Sequence, residues 1–310
     1  MPKYSIVVPV YNEELIINES YKRLKEVMDK TGDDYEFIFV NDGSTDSTLE
    51  KLLAIHKTDK CVKLLDFSRN FGHQVAISAG LDYAMGDAVI VIDADLQDPP
   101  EVIPELIKKW KEGHDVVHGK RPKRVGDPFF RNLAINIYYR LLRSMTKYDI
   151  PVDVGDFRLV DQKICTVLRN LPEKNRYLRG LVSWAGFKQT QVEYIRQGRI
   201  GGETKYPLTK LIGLALSGIT SFTYKPLRFA SYIGFVLSML SFTYLAYALY
   251  SKIVNNVPII GWTSLIVINS LFYGVVFIML GILGEYIGRI YEETKNRPLY
   301  IIREKLGFRN

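Results

Sequence analysis

Two stretches of this chain carry no charged residue: Phe229 to Ser251 and Ile253 to Gly284. A helix that crosses a bilayer needs about 20 predominantly apolar residues, so each stretch is long enough to span. Asn255-Asn256-Val257-Pro258 and Gly261 lie between them and read as a tight turn, which makes the pair a hairpin. Two buried core helices are the alternative, but core helices of globular domains rarely run so far without a charge. Lysine and arginine set the orientation. Lys225 and Arg228 precede the first stretch, Arg289, Lys295, Arg297, Arg303 and Lys305 follow the second, and only Lys252 lies between. Both ends of the hairpin are therefore expected on the cytoplasmic side, with a short loop outside.

The remainder of the 310 residues suffices for one large α/β domain. Tyr4-Ser5-Ile6-Val7-Val8 enters a strand at once, with no basic and apolar leader before it, so no signal peptide is read and this domain is expected in the cytosol. Cys61 and Cys165 are too few for a disulfide framework, which fits a reducing compartment. The net charge of +7 suits an anionic membrane face. Nucleic-acid binding is the rival reading of that charge, and a modest excess on a chain with membrane stretches disfavours it.

Strands are expected at Tyr4–Val10, Tyr35–Val40, Val62–Phe67, Ala88–Ile92 and Asp115–His118, with helices between them such as Glu14–Lys30 and Thr48–Lys57. Such alternation predicts a mostly parallel sheet covered by helices on both faces. After Arg121 the pattern changes. Phe129–Met145 spaces Phe130, Leu133, Ile137 and Leu141 helically among Arg131, Arg140 and Arg143. It reads equally as an interfacial basic helix and as a helix packed on the sheet. Leu208–Phe222 leads into the first apolar stretch and is expected at the bilayer surface. The resulting division is a cytosolic domain at 1–207, an interfacial helix at 208–226, two spanning helices within 227–289 and a cytosolic tail at 290–310.

The apolar run Ala88–Ile92 delivers Asp93, Ala94, Asp95 and Gln97 to its C-terminal edge, where open α/β sheets form their ligand clefts. Carboxylates there can hold Mg²⁺ or Mn²⁺ together with diphosphate oxygens. Asp98 before Pro99 reads instead as a helix cap. At the end of the first strand, Pro9-Val10-Tyr11-Asn12-Glu13 offers an aromatic ring to stack on a base and a carboxylate for ribose hydroxyls, or simply starts a helix. Asn41-Asp42-Gly43-Ser44-Thr45-Asp46 ends the second strand, with Asp42 able to accept from a base N–H. Asp156 in Val154-Gly155-Asp156-Phe157-Arg158 reads equally as a functional acid and as half of a surface pair with Arg158. Arg199 and Lys205 flank Gly201 and Gly202 in a basic loop that can close over phosphates, or serves only as a juxtamembrane linker. His56, His73, His114 and His118 show no metal-ligand spacing and read as structural, although His73 sits near a strand end.

Together these motifs, with Arg69-Asn70-Phe71-Gly72, Gly119-Lys120-Arg121, Gly202-Glu203-Thr204-Lys205-Tyr206 and Gly284-Glu285-Tyr286-Ile287-Gly288-Arg289, resemble family 2 inverting glycosyltransferases of the GT-A fold. The closest look is to bacterial polyprenyl-phosphate glucosyltransferases, relatives of dolichyl-phosphate mannose synthase. The resemblance implies a Rossmann-like mostly parallel sheet with interface helices and a C-terminal two-helix transmembrane hairpin. It implies transfer of a sugar, most simply glucose from UDP-glucose, to polyprenyl (undecaprenyl) phosphate at the cytoplasmic membrane, with inversion and with Mg²⁺ or Mn²⁺. By motif, Asp93, Asp95 and Gln97 would surround the metal, and Pro9, Tyr11, Glu13, Asp42, Asp93 and Ala94 would hold the nucleotide sugar. Arg121, Arg131, Arg199 and Lys205 would meet phosphates. Asp156 stands at the position of the catalytic base, and Asp95 is counted with it as catalytic. The acceptor phosphate is already largely dianionic at neutral pH, so Asp156 has little proton to remove and can act by positioning instead.

The same motifs leave N-acetylglucosamine or amino-arabinose donors open. A processive polysaccharide synthase of the same superfamily usually carries Gln-x-x-Arg-Trp, whereas here Arg176-Tyr177-Leu178-Arg179-Gly180 lacks the tryptophan. A scaffold protein that keeps only the fold conflicts with intact metal and phosphate motifs. The segment after Tyr291 is free to pair with a neighbouring subunit in a homo-oligomer.

Overall fold

The computed structural model describes residues 2–121, 154–174, 176–195, 224–255 and 261–308. It divides into two compact units, one of Met1–Ile212 with Arg297–Asn310 and one of Gly213–Asn296.

The first unit is built on an eight-stranded sheet. Its strands are β1 (Tyr4–Val10), β2 (Tyr35–Asn41), β3 (Val62–Phe67), β4 (Ala88–Val91), β5 (Val116–Lys120), β6 (Val154–Asp161), β7 (Gln189–Glu193) and β8 (Ile302–Leu306). They lie in the order β7-β5-β6-β4-β1-β2-β3-β8. The strands β4, β1, β2 and β3 are mutually parallel, as expected, and every residue of β1 is buried because helices cover both faces. Pro9 costs β1 no ladder bond to β4, since β4 pairs with β1 only as far as Val7.

Helix α1 (Ile17–Asp29) buries Ile17, Ser20, Leu24, Val27 and Met28, a single stripe at helical spacing. It starts later than the expected Glu14. That carboxylate instead accepts from the backbone N and the Oγ of Ser47, at 3.1 and 2.7 Å, at the mouth of α2 (Thr48–Thr58). Helices α3 (His73–Tyr83) and α4 (Ile103–Lys111) follow β3 and β4.

Three strands, β6, β7 and β8, escaped the sequence pattern. Strand β6 runs antiparallel between β4 and β5, with Val91 opposite Arg158 and Lys120 opposite Val154. The Gly155-Asp156-Phe157-Arg158 motif is therefore buried sheet. This excludes a surface Asp156–Arg158 pair, since the two side chains are only 9% and 4% exposed. Strand β8, in the tail, pairs antiparallel with β3 of its own chain. Short helices α5 (Gln162–Arg169) and α6 (Leu178–Trp184) precede β7.

The second unit contains α7 (Lys225–Asn255) and α8 (Trp262–Thr294). Lys225–Ala248 and Ile268–Thr294 are each long and apolar enough to cross a membrane. Only 6% and 0% of their apolar windows are buried within the protein, which excludes core helices. The two helices touch where Gly234 admits Met279: a Cβ on that glycine would lie 3.0 Å from Cε. The amphipathic segments expected at 129–145 and 208–222 lie outside the described residues.

Candidate active site

Strand direction decides what meets what. The C-terminal ends of β1, β2, β3, β4 and β5 and the N-terminal end of antiparallel β6 share one edge of the sheet. That edge collects Tyr11, Asp42, His73, Asp93, Arg121 and Asp156 from segments far apart in sequence.

Asp156 is the most heavily partnered of them. Its Oδ1 accepts from Arg158 Nη2 at 2.8 Å and Arg179 Nε at 3.2 Å, and its Oδ2 accepts from Gln74 Nε2 at 3.0 Å and Arg179 Nη2 at 3.4 Å. His73 Nε2 stands 3.4 Å from Oδ2. Burial would raise the carboxyl, but Arg179, the His73 contact and Arg158 hold it well below the ordinary carboxylate range. A group so held is a permanent anion and a feeble proton acceptor. Gln74 is itself fixed, because its Oε1 accepts from the backbone N of Leu178 at the start of α6, at 3.3 Å.

His73 Nε2 is also 3.4 Å from Asp93 Oδ1. The crowded cleft opposes a charged imidazolium, but the two carboxylates outweigh it and lift His73 to about 9. Desolvation pushes the Asp93 carboxyl up to about 6. His73 opposes that rise, while Asp156, Asp98 and Asp95 add to it. This is a concentration of negative charge that a cation would relieve. Asp93 Oδ1 is buried and accepts no hydrogen bond among the described residues. Asp95 Oδ1 accepts from the backbone N of Gln97 at 3.1 Å. Between them Leu96 is held at φ 54°, a left-handed conformation that a leucine adopts only under constraint. Among the described residues no group of three or more His, Cys, Asp or Glu side chains could hold a metal ion. One or two carboxylates with diphosphate oxygens suit Mg²⁺ or Mn²⁺ without such a cluster, so Asp93, Asp95 and Gln97 fit the expected ion.

Asp98 is not a helix cap. Pro99 precedes the short turn at 100–102 with no side-chain cap. Fully buried, the Asp98 carboxylate instead accepts from Arg121 Nη2 at 2.7 Å and from the hydroxyl of Tyr194 at 2.5 Å. A buried carboxylate needs such a partner, and this requirement outweighs the local cap signal. Arg121 is thereby aimed along the cleft edge, and its Nε donates to Tyr194 Oη at 3.0 Å.

On the opposite side of the cleft, Tyr11 is 40% exposed and so open to stacking. Asp42 accepts from the backbone N of Phe71 and Gly72 at 2.7 and 3.0 Å, which ties the second loop to the third. Glu13 receives support through its backbone N, which donates to Thr48 Oγ1 at 2.9 Å. Pro9 and Ala94 are buried beneath these loops. Arg131, Arg199 and Lys205 lie outside the described residues.

Sequence reasoning missed His73, Gln74 and Arg179. The available signal was the position of Arg69-Asn70-Phe71-Gly72-His73-Gln74 directly after β3, the same kind of strand end that produced the other candidates. The remaining histidines are structural: His56 Nδ1 and His114 Nδ1 meet backbone carbonyls at 2.6 and 3.0 Å, and His118 Nε2 meets Gln189 Oε1 at 2.9 Å.

A family model described as Glycosyl transferase family 2 matches residues 5–168. The uncharacterized glycosyltransferase YkcC of Bacillus subtilis (strain 168) is 58% identical over 308 residues, covering 99% of this chain and 95% of its own length. A bactoprenol glucosyl transferase of Shigella phage SfII is 44% identical over 302 residues, covering 97% of this chain and 98% of its own. Among solved structures, glucosyl-3-phosphoglycerate synthase from Mycobacterium tuberculosis is 21% identical, with 71% of this chain and 78% of that one covered and a TM-score of 0.48.

Proposed function

Because this chain belongs to glycosyl transferase family 2, we propose that it transfers glucose from UDP-glucose to a polyprenyl phosphate at the cytoplasmic face of the membrane. The observation that carries this reading is the pairing of a cation-clamped Asp156 with the Asp93–Gln97 loop at one sheet edge. That edge belongs to a chain with two apolar helices long enough to span. Near-full-length identity to a bactoprenol glucosyl transferase supports the lipid acceptor and the glucose donor.

Tyr11, Glu13 and Asp42 hold the nucleoside, and Asp93, Asp95 and Gln97 hold Mg²⁺ or Mn²⁺. An ion held there would supply positive charge to the departing diphosphate. By motif, Arg121 and Lys205 are assigned to the donor phosphates, and Arg131, Arg199 and Lys205 to the phosphate of the lipid. A phosphate oxygen of the acceptor attacks the anomeric carbon as the bond to the diphosphate breaks on the opposite face, which inverts the centre. The attacking phosphate needs no base. Asp156, locked as an anion, orients the acceptor or a sugar hydroxyl and offsets positive charge developing at the sugar. The basic residues before the first apolar helix and after the second favour a cytoplasmic position for both ends of the hairpin.

The test is transfer by the purified full-length protein in detergent with undecaprenyl phosphate, Mn²⁺ and labelled UDP-glucose, repeated with UDP-N-acetylglucosamine. A glycolipid from glucose alone is the expected result. Product from the amino sugar alone would overturn the donor, and no product from either donor, despite metal-dependent UDP binding, would overturn the acceptor or the donor class.

A further inference from the structure

Strand β8 comes from the opposite end of the chain to the donor loops, yet a hydrogen-bond relay joins them. Arg303 Nε donates to Asp66 Oδ2 at 2.7 Å, and Asn41 Nδ2 donates to Asp66 Oδ1 at 2.7 Å. Asn41 Oδ1 accepts from the backbone N of Ser44 at 3.3 Å, and Ser44 Oγ accepts from the backbone N of Asn12 at 3.0 Å. Asn12 Oδ1 closes the path by accepting from the backbone N of Thr45 at 2.8 Å. Asn12 sits at φ 53°, between Tyr11 and Glu13. The relay thus runs across β8, β3 and β2 and ends in both loops assigned to the nucleoside.

A second support runs beside it. The ring of Tyr300 stacks on Phe67 at 5.2 Å and 12°, its hydroxyl donates to Asp82 Oδ2 at 2.9 Å, and the backbone N of Ser68 donates to Ile301 O at 3.0 Å. These contacts hold the start of the 68–72 loop, whose amides bind Asp42. Gly43, at φ +67°, lies against that loop so closely that a Cβ would come within 2.4 Å of the Arg69 carbonyl carbon. Asp66 is the hub of the first relay. It is 3% exposed and needs a cation, while Arg303 is 55% exposed and has no comparable need.

We propose that β8 braces the donor pocket, with Arg303 and Tyr300 as positioning residues that never touch substrate. Without Arg303 the buried Asp66 charge competes for Asn41, and the turn at Asn41–Ser44 loses its set. The inference rests on the reading of the 9–13 and 41–46 loops as the nucleoside pocket. Its consequence is that β8, separated from Thr294 at the end of the second apolar helix by only seven residues, governs affinity for the nucleotide.

The experiment compares full-length wild type, Arg303→Met, Arg303→Met/Asp66→Asn and, as a control on the same strand, Glu304→Ala. UDP binding with Mn²⁺ and hydrogen–deuterium exchange are measured on each, with donor and acceptor KM where transfer is seen. Arg303→Met is expected to weaken UDP binding about tenfold, leave the acceptor KM unchanged and speed exchange in residues 9–13 and 41–46. The double variant, which removes the buried charge, is expected to recover most of the loss, and Glu304→Ala to behave as wild type. Unchanged exchange in both loops of Arg303→Met would overturn the brace whatever the ligand. Faster exchange in a protein whose wild type binds no UDP would leave the brace standing and overturn the nucleoside assignment.

Discussion

Arg121 lies across Gly155: a Cβ built on that glycine would fall 2.6 Å from the guanidinium Nη2. The glycine beside Asp156 is therefore needed for space. It lets the guanidinium of the residue that follows β5 pass over the start of β6 and reach Asp98.

Gly155→Ala is expected to push Arg121 off Asp98, to destabilise the protein by about 1–3 kcal/mol and to raise the donor KM. In an Arg121→Ala background the same substitution should cost almost nothing. A thermal-unfolding double-mutant cycle checks this, and an undiminished cost in that background would show that the clash lies elsewhere.

Asp156→Asn keeps the shape of the side chain and removes the charge that Arg158 and Arg179 were built around. Turnover is expected to fall by about 10²-fold or more, with UDP affinity in Mn²⁺ nearly unchanged. Stability should also drop, because Arg158 is left buried without its counter-ion. Single-turnover transfer and UDP titration separate the two effects, and an equal loss in both would contradict a role in turnover rather than in donor binding.

His73→Ala removes the group that stands between Asp93 and Asp156. It is expected to lower kcat about 10- to 100-fold with little change in donor KM. Gln at this position retains an N–H donor and should recover part of the rate. Steady-state kinetics of the two variants check the order, and equal rates would reduce His73 to filling space.

Away from the cleft, Asp59 makes stability depend on pH. Burial works against its charge, but the Tyr21 hydroxyl at 2.7 Å, the Cys61 amide at 2.8 Å and Lys25 Nζ at 3.0 Å outweigh it and bring the carboxyl down to about 2. A folded-state value below the ordinary 3.8 means that the stabilisation is present above pH 4 and fades as pH falls toward 2. Asp59→Asn should cost about 2 kcal/mol at pH 7 and progressively less below pH 4. Thermal unfolding across that range, with the variant and wild-type curves converging in acid, is the expected result.

The parallel half of the sheet was legible because β1, β2, β3 and β4 are largely apolar stretches, each ending in polar or glycine-bearing loops. The two apolar helices were legible for the same reason: burial in a protein core or in lipid is written locally, in composition and period. The loops at the strand ends could be named as candidates, since chain direction alone puts them at one edge.

Strand β6 was hidden because Asp156 and Arg158 interrupt its apolar pattern, and they are tolerated because they pair with each other inside the sheet and Arg179 adds a second cation on Asp156. The sequence Ile302-Arg303-Glu304-Lys305-Leu306 looks like a solvated tail, and only its pairing with β3 makes it an edge strand. The same applies to charge partners. Asp98 belongs to Arg121 and Tyr194, and Asp156 to Arg179, Gln74 and His73, because packing brings α3, α6, β5, β6 and the residues after β7 within a few ångströms of one another. The amino-acid sequence by itself determined which segments must be buried, which are apolar enough to cross a membrane and which loops crown the sheet. Tertiary structure decided which charges meet, because Coulomb and hydrogen-bond energies depend on distances that no local pattern records.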